Sequence, residues 1–588
     1  MQTSYFPYIL LSLLLVILVP YSINAQVLSY HLEIDEEQWN SFHVRIVIEN
    51  VSEDHLTLVL PKWRPGIYIE LDSHKFIENL YAYGESADEL NVTQLDENKW
   101  LIDVAKSSTV RIEYDVDHST RRFMMSYLNR KYAIVDGALN FMYIMNFKHL
   151  PIDINLRVPH GWKVATSLKP SESSFEFIAS DYDELIDSPM LLSNFDEYYF
   201  TLDRYLFYVI INGDITFDMN KFLVMIKRVV EYQGSFFNDY PFDRYLFLID
   251  VQPQGRSGGG LEHGKSSLII LSKELLKQDM NRAANIISHE FFHSWNVKQI
   301  YPEVFSSSDY MSPGRTENLW FVEGVTSYYA DLTLIRTGIW SERDYLDNQA
   351  RLIKQIEENP DRLVTSLEEA SLSIWENGYL HRGISFYDKG QVVALLLDLS
   401  IRQGTNNHRS MDDVMRFMNV WFAEHDQGFQ EGDILRAVNA ISGIDHTVFF
   451  NKYISGTVPL PYEDYLHYAG ISAQIIPDLD LFELNETNHT IASIDSMSAF
   501  YKAGLRSGDV IELINNQSIS DRKSLLQALA DVKSVKPVTI RFSRGGKEQT
   551  MSMDLEITHE VAVELDFLPE PNDLQSRIRN SLLNKEVN

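Results

Sequence analysis

The chain of 588 residues contains no cysteine, and that absence removes several chemistries at once. Thiolate nucleophiles, thiolate zinc sites, disulfides and a cysteine-linked lipid anchor are all excluded. Any metal must be bound by His, Asp and Glu, a donor set open to zinc, manganese or iron. Basic residues are scarce as well: 51 Lys and Arg stand against 83 Asp and Glu, for a formal charge of −32. Nucleic-acid binding needs a basic footprint, so that partner is excluded, and anionic membrane surfaces would repel the chain. The acidity reads chiefly as solubility. Membrane-spanning apolar runs are also lacking. The run Ile9–Val19 is too short to cross a bilayer, has no Lys or Arg ahead of it, and is followed by the small Ala25. The expectation is a signal peptide, residues 1–25, cut after Ala25, and a secreted or periplasmic mature protein with no membrane attachment.

What is present suffices for large cores: 45% of the residues are hydrophobic and 12% aromatic. At this length two to four domains are expected. Residues 26–200 alternate apolar and polar positions, as in His43–Ile48 and Leu56–Leu60, with turn signals such as Arg64-Pro-Gly66 between them. This predicts an N-terminal antiparallel β-sandwich. Over 201–465 the pattern predicts strands at Arg204–Ile211, Arg244–Val251 and Ser267–Leu271, a helix at Met219–Tyr232, and a helical lobe from Met280 onward. β character returns over 466–558, with one helix at Arg522–Val532. The last stretch, 559–588, holds an amphipathic segment, Leu574–Leu583. The fold class is therefore multidomain α+β.

Chemistry concentrates at Ser288-His-Glu-Phe-Phe-His293, an H-E-x-x-H motif within helical spacing. Residues at i and i+4 share a helix face, so His289 and His293 can both reach one tetrahedral ion. Glu290 projects beside them, where it can take a proton without ligating the metal. Ile286, Ile287, Phe291, Phe292 and Trp295 make this helix a buried one. Two histidines and a glutamate inside a core are costly unless a metal compensates them. A second apolar helical segment, Leu319–Tyr329, carries Glu323 thirty residues after His293, a natural third ligand. The glycine run Gly258-Gly259-Gly260 lies just before a strand, where backbone can approach a bound peptide closely.

These residues, with Gly259-Gly-Leu-Glu-His263, Tyr387-Asp-Lys-Gly390 and Leu60-Pro-Lys-Trp-Arg-Pro-Gly-Ile-Tyr68, resemble the glycyl aminopeptidase family of thermolysin-like zinc peptidases. The resemblance runs over roughly residues 30–555 in the family's domain order. It implies one zinc per chain on His289, His293 and Glu323, Glu290 as general base, and Tyr387 as the hydroxyl that steadies the oxyanion. It also implies Glu262 as holder of the substrate's free α-amino group, with Gly259 and Gly260 beside the bound peptide. His263 and Asn296 are expected to support the site. Asp331 reads as an exposed helix aspartate, with orientation of a ligand histidine as the alternative. Residues 466–558 resemble a PDZ domain, whose groove takes peptide C-termini by strand addition. Gly470-Ile471 is the best match to its carboxylate-binding loop.

The expected activity is a zinc aminopeptidase acting on peptides with a free N-terminus and preferring Gly or Ala first. Two alternatives stay open: an endopeptidase with the same chemistry, and a PDZ peptide-binding protein whose zinc is structural.

Overall fold

The structure, a computed structural model, describes residues 26–583 except 38, 105, 119–125, 256–257, 307–309, 378–382, 478–481, 486–488, 495, 497, 522–523, 526–527, 529–536 and 555–560. The signal-peptide segment lies outside the described residues, as does most of the helix expected at Arg522–Val532.

The N-terminal strands follow from period-two alternation. Val27–Ile34, Ser41–Glu49 and Thr109–Asp117 each bury every second residue, so one face of their seven-stranded sheet turns inward. It shares an apolar core with a four-stranded sheet that includes His55–Val59 and Lys99–Asp103; a third, also four-stranded, sheet lies alongside. One pair departs from the antiparallel expectation: Val27–Ile34 runs parallel to Ile152–Arg157. The chain reaches the second of these strands only after completing the four-stranded sheet that includes His55–Val59, so no hairpin dictates its direction.

A five-stranded sheet follows, in the order Asp196–Leu202, Tyr205–Asn212, Arg244–Gln252, Ser266–Ser272, Gly258–Glu262. Its three middle strands are parallel, and Ser266–Ser272 is buried at every position, as a strand covered on both faces must be. The helix Met219–Phe237 makes the first crossover, capped by the Asp218 side chain on Lys221 N–H. The glycine run precedes the strand Ser266–Ser272 as expected, and is itself part of a strand, the antiparallel edge strand Gly258–Glu262. Across that sheet lies the helix Met280–Phe292, started by Asp279 accepting from Arg282 N–H. The helical lobe then wraps it with Thr326–Arg336, Glu342–Glu358 and the buried Asp388–Gly404.

Toward the C-terminus, Ile471–Pro477 pairs with Val561–Phe567. Between them sits a small β unit with its own apolar core, including Ile491, Phe500 and Ile540. Asn515 and Asn516 both take left-handed conformations at its hairpin turn, with φ of 47° and 66°. The amphipathic segment forms the helix Asp573–Leu582 and packs back on the helical lobe, where Leu582 C=O accepts from Arg336 Nε at 2.8 Å. Gly470-Ile471 is not a carboxylate-binding loop. Gly470 ends a short helical turn at φ 65°, its N–H already donates to His467 C=O, and the buried Ile471 begins the strand paired with Val561–Phe567. Among the described residues no helix is long and apolar enough to cross a membrane.

Candidate functional site

The helix Met280–Phe292 brings His289 and His293 to one face, and their Nε2 atoms lie 3.0 Å apart. Glu323 Oε2 stands 3.2 Å from His289 Nε2 and 3.4 Å from His293 Nε2. Glu323 sits in a π-helical turn, Trp320–Val325, that runs straight into Thr326–Arg336. Such one-turn widenings are rare and concentrate at functional sites. Sequence spacing predicted a helix here, and the wider turn is a finding of the structure.

These three atoms fit a metal ion. Two donors about 2.0–2.1 Å from a tetrahedral zinc are separated by about 3.3 Å, close to the three edges observed. The tautomers fit as well. His293 Nδ1 donates to Asn296 C=O at 2.6 Å, which leaves the Nε2 lone pair bare, and His289 Nδ1 meets Ser327 Oγ at 3.2 Å. Two imidazole nitrogens and a carboxylate oxygen facing one another at 3.0–3.4 Å form a set that a metal cation between them would satisfy. The surroundings add to that demand. Burial opposes a charge on His293, yet Glu323, Glu262 and Glu290 push its pKa up to about 10. Burial lowers the pKa of His289, and it raises that of Glu290 well above the carboxylate range. Burial would raise Glu323 too, but His293 and His289 hold its carboxyl well below the usual range.

Glu290 is buried and faces the edge strand. A Cβ added at Gly260 would lie 2.2 Å from Glu290 Cγ, so only glycine lets strand and helix come this close. Glu262 follows on that strand, 4% exposed, with Oε1 unpartnered. Glu262, Glu290 and His293 each offer an atom within 4.8 Å of the others, so the residues expected as amino-group holder, base and ligand converge. Gly259 lies on the same strand, between Gly258 and Gly260. Tyr387 precedes the helix Asp388–Gly404, its ring centroid 6.3 Å from that of His289 and stacked on Phe386.

The supporting residues divide. Asn296 is fully buried; its Nδ2 donates to Phe321 C=O and Thr326 Oγ1, both at 3.0 Å, tying the motif helix to the Glu323 turn. His263 is buried with Nδ1 3.3 Å from Asp187 and does not reach the three ligand atoms' cluster. Asp331 is neither exposed nor a histidine partner. It is 1% exposed and accepts from Asn285, Asn348, Gln349 and Gln391, amides from three other helices. Its place on an apolar helix with amides at hand is tertiary information, absent from local sequence.

Two contributions escape sequence reasoning. Ser327, four residues after Glu323, meets His289 Nδ1. Tyr68, from the N-terminal domain, donates to Glu323 Oε1 at 2.5 Å, and Gly66 lies so close to Glu262 that a Cβ there would be 2.8 Å from Oε1. The signal was the segment Leu60–Tyr68, which the turn-rich Arg64-Pro-Gly66 disguised as a connection between strands.

Family models match in three stretches: the Peptidase M61 N-terminal domain over residues 29–194, M61 glycyl aminopeptidase over 282–393, and a PDZ domain over 481–555. No curated protein matches the sequence. An aminopeptidase N family protein from Idiomarina loihiensis has a similar fold, at 24% identity and TM-score 0.77, over 94% of this chain and all (100%) of that one. An M1 zinc metallopeptidase from Deinococcus radiodurans is 12% identical with TM-score 0.47, over 74% of this chain and 95% of that one. Native yeast LTA4 hydrolase is 12% identical with TM-score 0.44, over 76% of this chain and 68% of its own. The chain thus carries a Peptidase M61 N-terminal domain, an M61 glycyl aminopeptidase domain and, behind them, a PDZ domain.

Proposed function

We propose that the chain removes the first residue of peptides with a free N-terminus, with one zinc held by His289, His293 and Glu323. The observation that carries this reading is Glu262: a buried carboxylate with an unpartnered oxygen, beside Glu290 and His293, with Gly66 set against it. An unpaired buried carboxylate is costly, and a substrate ammonium would satisfy it with a charge-assisted hydrogen bond. A blocked terminus would bring no such charge. The edge strand Gly258–Glu262 has one edge unpaired by Ser266–Ser272, and an extended peptide can add to it.

A zinc ion at this centre supplies Lewis acidity, polarising a carbonyl and making water nucleophilic at neutral pH. Glu290 takes the proton of the attacking water and carries it to the leaving amine. Its carboxylate lies beside His293 and Glu262 but outside the cluster of His289, His293 and Glu323, which leaves it open to that proton. Tyr387 donates its hydroxyl to the developing oxyanion from beside His289. Backbone at Gly259 and Gly260 lines the bound peptide. Glu262 fixes the ammonium and thereby sets which bond reaches Glu290.

A single ion fits best because the second convergent group, Glu262, Glu290 and His293, shares His293 with the first. The preference for Gly or Ala in the first position follows the family alone. So does the binding of peptide C-termini by the PDZ domain. Secretion or periplasmic export follows from the apolar run before Ala25.

The test is hydrolysis of a glycyl peptide, free and N-acetylated, by the zinc-loaded chain, with Glu290→Gln as the blank. Cleavage of the free peptide alone, lost in the variant, is the expected result. Equal cleavage of the acetylated peptide would make the enzyme an endopeptidase, and cleavage of neither would favour a peptide-binding protein with a structural zinc.

A further inference from the structure

Glu323 presents one carboxylate oxygen to the two histidines and the other to a residue 255 positions away in sequence. That residue is Tyr68. Its hydroxyl donates to Oε1 at 2.5 Å, the length of a short, charge-assisted O–H···O⁻ bond. A free carboxylate turns about its last torsion and offers either oxygen. With Oε1 engaged, only Oε2 faces His289 and His293.

The tyrosine is itself firmly seated. It is 1% exposed, and its ring meets Trp375 edge-on at 5.8 Å and Phe386 at 6.3 Å, within the apolar core of the catalytic region. The segment leading to it is anchored by Lys62 and Trp63 N–H groups, which both donate to Tyr310 C=O, at 2.9 and 3.1 Å. Trp63 then rests against Phe305 and Trp375, each at 5.9 Å. The phenol therefore cannot follow Glu323 if the carboxylate turns; the carboxylate must follow the phenol.

We propose that Tyr68 is a positioning residue of the metal centre, and that the chain holds zinc tightly only while its N-terminal domain is docked against the catalytic one. The inference rests on the assignment of Glu323 as a ligand. It goes beyond it in making a β-domain that contributes no ligand a determinant of metal retention.

The measurement is zinc affinity, by competition with a chromophoric chelator, for the full chain and for Tyr68→Phe. The variant keeps the ring in its seat and removes only the hydroxyl. Partners of this kind are worth about 10–100-fold in metal affinity, so a loss in that range and a faster release of zinc are expected. A merely structural tyrosine would lower the melting temperature of zinc-free and zinc-loaded chain equally and leave the affinity where it was. Trp375→Leu, which loosens the seat without touching the hydroxyl, should give a smaller loss and serves if Tyr68→Phe does not fold. Affinities within twofold of the parent in the folded variants would overturn the proposal. A parent chain that binds zinc through His293 yet cleaves no peptide would sink the aminopeptidase reading and leave this one standing.

Discussion

Turnover should depend most steeply on Glu290. Replacing it with Gln preserves shape but removes the base, so kcat should fall by about 10²–10⁴ while the zinc stays bound. A variant that lost its metal as well would mean that the glutamate is needed for the site's architecture. Asp331 offers a pH-dependent counterpart. Burial is the largest influence on it and raises its pKa to about 7, although Asn348, Arg351, Gln391 and Gln349 oppose that rise. A carboxyl raised in the folded state stabilises fully below its unfolded value, about pH 4, and the contribution is lost as pH rises through about 7. Asp331→Asn should thus show a smaller drop in urea stability between about pH 5 and pH 8 than the parent. An unchanged drop would place the titration elsewhere. The residues proposed for the metal centre were legible in sequence because chemistry restricts them: His289, Glu290, His293 and Glu323 have the side chains and helical spacing that ligands and a base require, and the fold brings the two histidines and Glu323 together. Tyr68 and Ser327 were not, since a hydroxyl that holds a ligand looks like any other until the fold brings it there.

Between elements, glycine decides how closely backbones approach. Gly324 faces Gly390 so tightly that a Cβ on Gly324 would meet Gly390 Cα at 2.6 Å and Phe386 C=O at 2.8 Å. The turn that carries Glu323 and the helix behind Tyr387 are therefore held at a distance that no side chain permits. Gly324→Ala should cost about 1–3 kcal/mol in stability and reduce activity by parting the two elements. Thermal melting together with kcat/KM checks it; an unperturbed activity would show that Tyr387 need not stay close to the metal ligands. Strands and helices of the catalytic region were legible within a few residues, because buried parallel strands and amphipathic helices carry strong periods. The glycine strand was not, because a run of three glycines has no pattern to read, and its pairing with Ser266–Ser272 sets its conformation. The same holds for the π turn, whose widening no local period marks.

On the scale of the whole molecule, the N-terminal domain and the helix Asp573–Leu582 both pack onto the catalytic region. The C-terminal helix Asp573–Leu582 places Ile578 and Leu582 in the catalytic core and gives Arg402 a partner in Ser581 Oγ at 2.7 Å. Truncation before Asp573 would open a cavity and leave buried Arg336 and Arg402 short of acceptors, so a loss of about 3 kcal/mol or more is expected. A calorimetric scan of the truncated chain measures it, and an unshifted transition would reduce that helix to an appendage. Domain order was legible because composition changes sharply at each boundary. The docking of the β-domain was not, since Gly66 and Tyr68 meet Glu262 and Glu323 only after both domains have folded. That docking sets Gly66 against Glu262, the residue proposed to hold a peptide's amino terminus. The most direct test compares kcat/KM for a free glycyl peptide and its N-acetyl form, in the parent and in Glu262→Gln. Strong discrimination in the parent that collapses in the variant, through loss of the free peptide, is the predicted result. Equal discrimination in both would contradict the account, because the amino group would then be recognised somewhere other than Glu262.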